Sequence, residues 1–366
     1  MADGSKIEWT DATWNPITGC KVVSPGCTDC YAMKLAGTRL KHIPSRKGLT
    51  IDTKAGPVWT GEVRFNEEWL LQPLTWKRPR MIFVVAHGDL FSENVPDEWI
   101  DKIFAVMALA PQHIFQVLTK RPDRMRAYLT RPAGDGKQDV RNHLAWEVTG
   151  QIMNAWHPNW KSEDINGPHR SRAIGAFSKW PLPNVWLGIS AEDQPRAEER
   201  VPPLLDTPAA LHWISAEPLL GLIELHKLRH GAGWMDAIAG YDDHNSRYGA
   251  VTRRRLGWIV AGGESGRRAR SAHPQWVRSL RDQAASASIP FLFKQWGNWA
   301  PSSPDQAAGN LHSGWVALSG RRPAKAHELY PQAGAAFMER MDKGDAGRLL
   351  DGELHNQFPE IQRMSR

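Results

Sequence analysis

The run MIFVVAHGD, residues 81–89, holds six apolar residues without a polar break and then stops at Gly88-Asp89. An apolar run of this length that does not alternate reads as a strand buried on both faces. Five further segments share the form: HIFQVLTKRP (113–122), VWLGISAED (185–193), LHWISAEPLLG (211–221), GWIVAGGESG (257–266) and PFLFKQWG (290–297). Helical patterns lie between several of them. VPDEWIDKIFAVMALAPQ offers Asp97 as a cap and places Ile100, Ile103, Phe104 and Met107 on one face. HPQWVRSLRDQAASA has Pro274 in its first turn and Trp276, Val277, Leu280 and Ala284 on one face. DQPRAEERVPPLLD is a weaker helix, expected to stop before Pro202. Strand, helix, strand in repetition means right-handed crossovers and a parallel sheet.

In such sheets ligands lie beyond the carboxyl ends of the strands. Here those ends carry Gly88-Asp89 with Glu93 nearby, Thr119-Lys120-Arg121, Ser190-Ala191-Glu192, Ser215-Ala216-Glu217, Gly263-Glu264-Ser265 and Lys294-Gln295-Trp296. The opposite ends carry nothing comparable. The asymmetry predicts a polar, charged pocket at one end of a parallel barrel or sheet. Each group also has a plainer reading. Asp89 can cap the turn that follows it, GGESG can be a tight strand-to-helix turn, and Lys120, Arg121, Lys294, Glu192 and Glu217 can form a closed ion-pair network.

The chain has 366 residues, 41% hydrophobic and 23% charged, enough for a large core in one or two domains. No apolar run reaches membrane-spanning length, and MADGSKIEWTDATWNP lacks a signal-peptide core, so the expected location is the cytoplasm with no membrane partner. A net charge of +7, with the basic runs RRRLG (253–257) and GRRARSAH (266–273), favours a polyanionic partner such as nucleic acid, or else marks solvated faces. Eighteen tryptophans are expected mostly in the core. Residues 41–80 read as a small β excursion, 131–183 as an irregular insertion and 226–256 as a second irregular stretch. Residues 299–366 read as a C-terminal extension, with AGAAFMERMDKGDAGRLLDG helical.

All three cysteines, Cys20, Cys27 and Cys30, fall in WNPITGCKVVSPGCTDCYAMKLA, residues 14–36. Three thiolates so close in sequence suit an iron–sulfur cluster or zinc, or are buried structural thiols; spacing alone does not separate these. A fourth zinc ligand would come from a distant residue such as His42 or His87. Three protein ligands on a cluster leave one iron position open to a cosubstrate.

WNPITGC…SPGCTDCYA resembles a phage-associated, radical-SAM-like family with a three-cysteine motif and no known function. The blocks GDLF…VPDEWIDKIFAVMALAPQHIFQVLTKRPDRM, PNVWLGISAEDQ, ISAEPLLG, GGESGRRAR and PFLFKQWG are similar to that family's others, in its order. The resemblance implies a partial (β/α)6 TIM-like barrel of the radical SAM type over residues 1–298. It implies a [4Fe–4S] cluster on Cys20, Cys27 and Cys30, with S-adenosylmethionine (SAM) on the fourth iron and a 5′-deoxyadenosyl radical as its product. It implies an electron donor of flavodoxin or ferredoxin type and a three-Cys-motif partner protein; the basic charge, the basic runs and the phage association of the similar proteins together point to a nucleic-acid or nucleotide substrate. Gly88, Asp89 and Glu93 would hold the SAM amino group, and Tyr31 would stand near the adenine. Thr119, Lys120, Ser190, Glu192, Glu217, Gly263 and Glu264 would complete the cofactor site, and Arg121, Lys294, Gln295 and Trp296 would face substrate. The common loop of such enzymes is C-x3-C-x-aromatic-C. Here the first gap is six, and Tyr31 follows the last cysteine. The alternative reading is a nucleic-acid-binding protein that zinc or a cluster stabilises, without radical activity.

Overall fold

All six expected strands form, and a seventh precedes them. A computed structural model describes residues 4–131, 144, 149–150, 152, 179–243, 251–252, 254–307, 310, 312–320 and 330–360. The expected insertion at 131–183 thus lies almost wholly outside the described residues, as does Arg253 of the RRRLG run. The strands are β1 (Ala12–Trp14), β2 (Met81–Val84), β3 (Ile114–Thr119), β4 (Val185–Ser190), β5 (Leu211–Ala216), β6 (Trp258–Ala261) and β7 (Phe291–Phe293). They form one sheet whose hydrogen-bonded neighbours follow chain order from β1 to β7. The β1/β2, β2/β3, β5/β6 and β6/β7 pairs are parallel. Sequential order without a reversal belongs to β/α barrels rather than to doubly wound sheets. The fold is mixed α/β and compatible with a partial TIM-like barrel.

Helices α1 (Tyr31–Gly37), α2 (Asp97–Leu109), α3 (Pro122–Leu129), α4 (Gln194–Asp206) and α5 (Pro274–Ser286) occupy the crossovers. No helix among the described residues is long and apolar enough to cross a membrane. The chain forms two compact units. One comprises Met1–Val23, Ala32–Gly188 and Asp206–Leu211; the other comprises Ser24–Tyr31, Ile189–Leu205 and His212–Arg366.

In the first unit Trp14, Ile82 and Phe115 are fully buried, on three adjacent strands. The expected face of α2 is buried at Ile100, Ile103, Phe104 and Met107. Asp97 does not cap it. Pro96 holds the cap position, and the Asp97 carboxylate pairs with Arg124 and Arg131 instead. The excursion after α1 holds a hairpin, Thr50–Thr53 with Gly56–Trp59, and Arg64–Phe65 pairs antiparallel with Ile17–Thr18.

In the second unit Trp213 and Trp258 stand opposite each other on parallel strands, ring centroids 5.4 Å apart, and Trp276 of α5 is 1% exposed. Truncating a core tryptophan of this kind typically costs about 3–5 kcal/mol. His273 caps α5 by accepting the Gln275 N–H, with Pro274 in the first turn. Two expectations are corrected here. Helix α4 does not stop before Pro202; it continues through Pro202 and Pro203 to Asp206. Burial of Ala197, Val201, Leu204 and Leu205 along one face outweighs the backbone hydrogen bonds that the two prolines forfeit. The stretch read as a C-terminal helix begins instead with a strand, Ala336–Arg340, paired with Trp299–Pro301 and Gly314–Val316, before a single helical turn at Lys343–Ala346. The irregular stretch after β5 forms a four-stranded antiparallel sheet, Leu228–His230, Gly233–Asp236, Tyr241–Asp242 and Val251–Thr252.

The ends of β6 and β7 cross at two glycines. A Cβ on Gly263 would lie 1.9 Å from the Trp296 carbonyl oxygen, and one on Gly297 (φ +86°) 2.0 Å from that of Glu264. Gly263→Ala is expected to lower stability by about 1–3 kcal/mol or more, because a backbone atom cannot rotate aside. Urea denaturation measures this, and an unchanged midpoint would contradict the close crossing.

Candidate functional site

Three strand ends meet in the first unit. After β1 the chain turns through Gly19 to Cys20. After β2 it passes Val85, which adopts φ 58°, a region β-branched residues seldom enter, and reaches Gly88. Gly19 and Gly88 form a parallel bridge, and a Cβ on Gly88 would stand 2.8 Å from the Gly19 oxygen. Glycine is therefore required at 88 by the neighbouring backbone. From the end of β3, Arg121 reaches both turns. Its Nη1 donates to Asp89 Oδ2 at 2.9 Å and to Cys20 Sγ at 3.6 Å, its Nη2 donates to the Lys21 carbonyl, and its Nε donates to Glu93.

Asp89 is 5% exposed and accepts four hydrogen bonds, two on each oxygen. Oδ1 takes the Phe91 N–H and the Thr119 hydroxyl; Oδ2 takes the Lys120 N–H and Arg121. A carboxylate has about four acceptor sites, so the expected ammonium contact gives way to a positioning role. Asp89 holds the turn after β3 and orients Arg121. Thr119 and the Lys120 backbone serve the same network. Glu93 is half exposed. Burial works to raise its pKa, but hydrogen bonds from its own backbone and from Arg121 outweigh that and leave the carboxyl below its ordinary range. Arg121 thus faces Cys20 as a held cation, which favours the thiolate form of a neighbouring cysteine.

In the second unit the segment Ser24–Tyr31 carries Cys27 and Cys30 and is tied down at three points. The Gly26 N–H donates to Glu192 Oε1 at 3.1 Å, Arg270 Nη2 donates to the Pro25 carbonyl at 3.0 Å, and Arg268 Nε donates to Asp29 at 3.3 Å. Glu192 is fully buried and shares its charge with Arg200, which also donates to the Ser190 carbonyl. A Cβ on Gly26 would stand 3.0 Å from the Glu192 carboxyl carbon, so glycine admits the carboxylate to the backbone. Glu264 is clamped by Arg270 at 2.6 and 2.8 Å and accepts its backbone N–H as well. The GGESG turn therefore meets the backbone of Trp296 and the Arg270 side chain.

The remaining expected residues divide. Lys294 pairs with Glu217 at 2.6 Å, both side chains keeping some exposure (14% and 20%), and Ser190 Oγ donates to the Glu217 carbonyl. Gln295 is 3% exposed, and its amide oxygen has no donor among the described residues. Trp296, expected to face substrate, does not. It is buried, its indole N–H donates to the Leu349 carbonyl, and its ring packs on Phe293. Tyr31 opens α1 and is 45% exposed. Arg268 and Arg270 of the basic run GRRARSAH are committed to Asp29 and Glu264, so those two are not a free phosphate-binding face.

All three cysteines are half-buried and free of disulfides. Cys20 Sγ receives Arg121, and Cys27 Sγ lies 3.9 Å from Ser24 Oγ. Soft, half-buried thiols fit a thiophilic metal as donors, and Cys20 stands beside the held Arg121 guanidinium. Among the described residues no three His, Cys, Asp or Glu side chains stand grouped as metal ligands. His87, a candidate fourth ligand, faces Arg46, whose Nη2 donates to His87 Nδ1. Arg200, Asp29 and Arg46 had no role in the sequence reading, and Arg268 and Arg270 entered it only as part of a basic run. They sit in a helix (Arg200), in turns (Asp29 and Arg46) or in a basic run (Arg268 and Arg270), and nothing in their spacing signals a tertiary partner.

The model of one family, described as a protein of unknown function (DUF5131), matches residues 4–359. The chain belongs to the DUF5131 family. No curated protein and no solved structure matches it. The family match covers both compact units, so the strand ends and the tethered loop all lie within the DUF5131 segment.

Glu192→Gln removes the counter-charge of buried Arg200 and is expected to cost about 3–5 kcal/mol in urea unfolding; a neutral effect would mean the pair carries no net charge load. Burial, and then the Arg46 charge, push the His87 imidazole down to about 4. The unfolded chain takes up that proton near the ordinary 6.5 and the folded chain does not. Stability is therefore expected to fall as pH drops from about 6.5 to about 4, by at most roughly 3 kcal/mol. His87→Gln should flatten that slope in pH-dependent unfolding.

Proposed function

We propose that the protein is a cytoplasmic iron–sulfur enzyme that uses SAM, with Cys20, Cys27 and Cys30 as cluster ligands. The observation that carries the reading is the tethering of Ser24–Tyr31. A loop that contributes little to the core is held by buried Glu192, half-buried Arg270 and exposed Arg268, charged side chains from strand ends and turns. Such pinning preorganises what the loop carries, which is two of the chain's three thiols. When bound, the group would supply reductive cleavage of SAM to methionine and a 5′-deoxyadenosyl radical that abstracts hydrogen from substrate.

The chain's own residues have separate tasks. Arg121 keeps positive charge beside Cys20 and favours its thiolate, while Asp89 and Glu93 keep Arg121 aimed. Glu192 fixes the Gly26 turn ahead of Cys27. Lys294 and Glu217, a partly exposed pair at the ends of β7 and β5, are the groups best able to exchange partners with a SAM carboxylate or a charged substrate. A nucleic-acid or nucleotide substrate, with a flavodoxin- or ferredoxin-type donor, suits the basic charge balance.

Anaerobic reconstitution with iron and sulfide tests the reading. The expected product is a brown protein absorbing near ~400 nm, as bound clusters do, which forms 5′-deoxyadenosine from SAM on reduction. Each of Cys20→Ala, Cys27→Ala and Cys30→Ala should abolish iron loading and leave the fold intact. A colourless protein with stoichiometric zinc, or full iron in any single variant, would sink the assignment.

A further inference from the structure

Among the described residues one tryptophan is exposed. Trp234 keeps 44% of its surface open, whereas the other described tryptophans are buried or half-buried. It lies on the four-stranded antiparallel sheet that follows β5, whose strands run in the order Leu228–His230, Gly233–Asp236, Tyr241–Asp242, Val251–Thr252. The sheet belongs wholly to the second unit. Its two central strands each present one aromatic side chain to the same open face. Tyr241, 52% exposed, stands opposite Asp236, and Asp236 shares a face with Trp234 by the two-residue period of a strand. Trp234 and Tyr241 are therefore diagonal neighbours, roughly 7–8 Å apart along the backbone. The other face is closed, with Leu228, Met235 and Asp242 fully buried.

Cations flank the two rings. Arg229 stands directly opposite Trp234, and Lys227 Nζ lies 4.9 Å over the Trp234 ring. Both are exposed, and Arg229 pairs with no carboxylate among the described residues. Arg254 and Arg255, also exposed, follow the last strand. The carboxylates of this face answer other groups of the protein. Asp236 Oδ1 accepts the N–H groups of Ile238 and Ala239, its Oδ2 meets His226, and Asp243 Oδ1 accepts the N–H of Trp234. Open aromatic rings set among cations match bases that stack and phosphates that are neutralised. A duplex keeps its base faces stacked inside, so the complementary ligand is a single strand. We propose that this sheet face binds single-stranded nucleic acid, with bases stacked on Trp234 and Tyr241 and backbone phosphates on Lys227 and Arg229. The proposal deepens the nucleic-acid part of the proposed function, on which it rests, and needs neither iron nor SAM.

The test is fluorescence anisotropy on the full chain with dye-labelled oligothymidylate and oligouridylate of about 12 nucleotides, within the usual site size. Formation of 5′-deoxyadenosine is measured on the same preparation, so failure of the strand and failure of the cluster assignment are read separately. Wild type should bind at least one oligomer, more tightly than a duplex of equal length, and more weakly as salt rises. Trp234→Ala and Tyr241→Ala should each weaken binding about fivefold to a hundredfold. Arg229→Met should make the salt slope shallower by about 0.7. All three positions are exposed, so urea midpoints should stay close to wild type. Absence of binding to both oligomers overturns the proposal. So does a duplex bound as tightly as the single strands, or unchanged affinity in both aromatic variants. A wild-type dimer in sedimentation that Trp234→Ala dissociates would name a second copy as the occupant and overturn it too.

Discussion

A carboxylate taken out of water needs an opposite charge, and much of this molecule is arranged around that requirement at buried Asp89, Glu192 and Glu264. Arg121 is answered by Asp89 and Glu93, Arg200 by Glu192, and Arg270 by Glu264. Each pair uses residues brought from separate parts of the chain or across a turn. The turns can approach closely because glycine stands at the contact: Gly88 against Gly19, Gly26 against Glu192, Gly263 against Trp296. Charge pairing and glycine contacts are thus two sides of one constraint, since a side chain at these glycines would push the partners apart.

The same constraint gives the cysteine segment its form. A short loop with a 3-10 turn at Pro25–Cys27 buries little apolar surface and would fray if left to itself. Glu192 holds its backbone N–H, Arg270 its carbonyl and Arg268 its one carboxylate, so donors and acceptors of the loop are answered by charges.

Much of the fold was legible in the sequence. Unbroken apolar runs marked six strands because parallel strands covered on both faces leave no solvent side to alternate with. The α2 and α5 faces followed from helical spacing. Strand β1 was not found: three residues, Ala12–Trp14, are too short for any periodicity to register. Asp97 looked like a cap, but Arg124 and Arg131 compete for its carboxylate. Pro202 looked like a stop, but one buried face carried the helix past it. AFMER has helix-compatible composition and became a strand because two neighbours offered it hydrogen bonds.

The polar residue types at the strand ends were equally legible, whereas their roles were not. Asp89, Glu192 and Glu264 looked available to a ligand, and each is spent on protein donors; Trp296 was expected to face substrate and lies in the core. The sequence by itself determined that six buried strands end in charged turns and that three thiols fall within eleven consecutive positions. Those facts depend on local composition and spacing. Only the tertiary structure decided which charge answers which, because a hydrogen bond selects its partner by distance and direction in space. Two residues 101 positions apart along the chain, Cys20 and Arg121, come within 3.6 Å only once the sheet has formed.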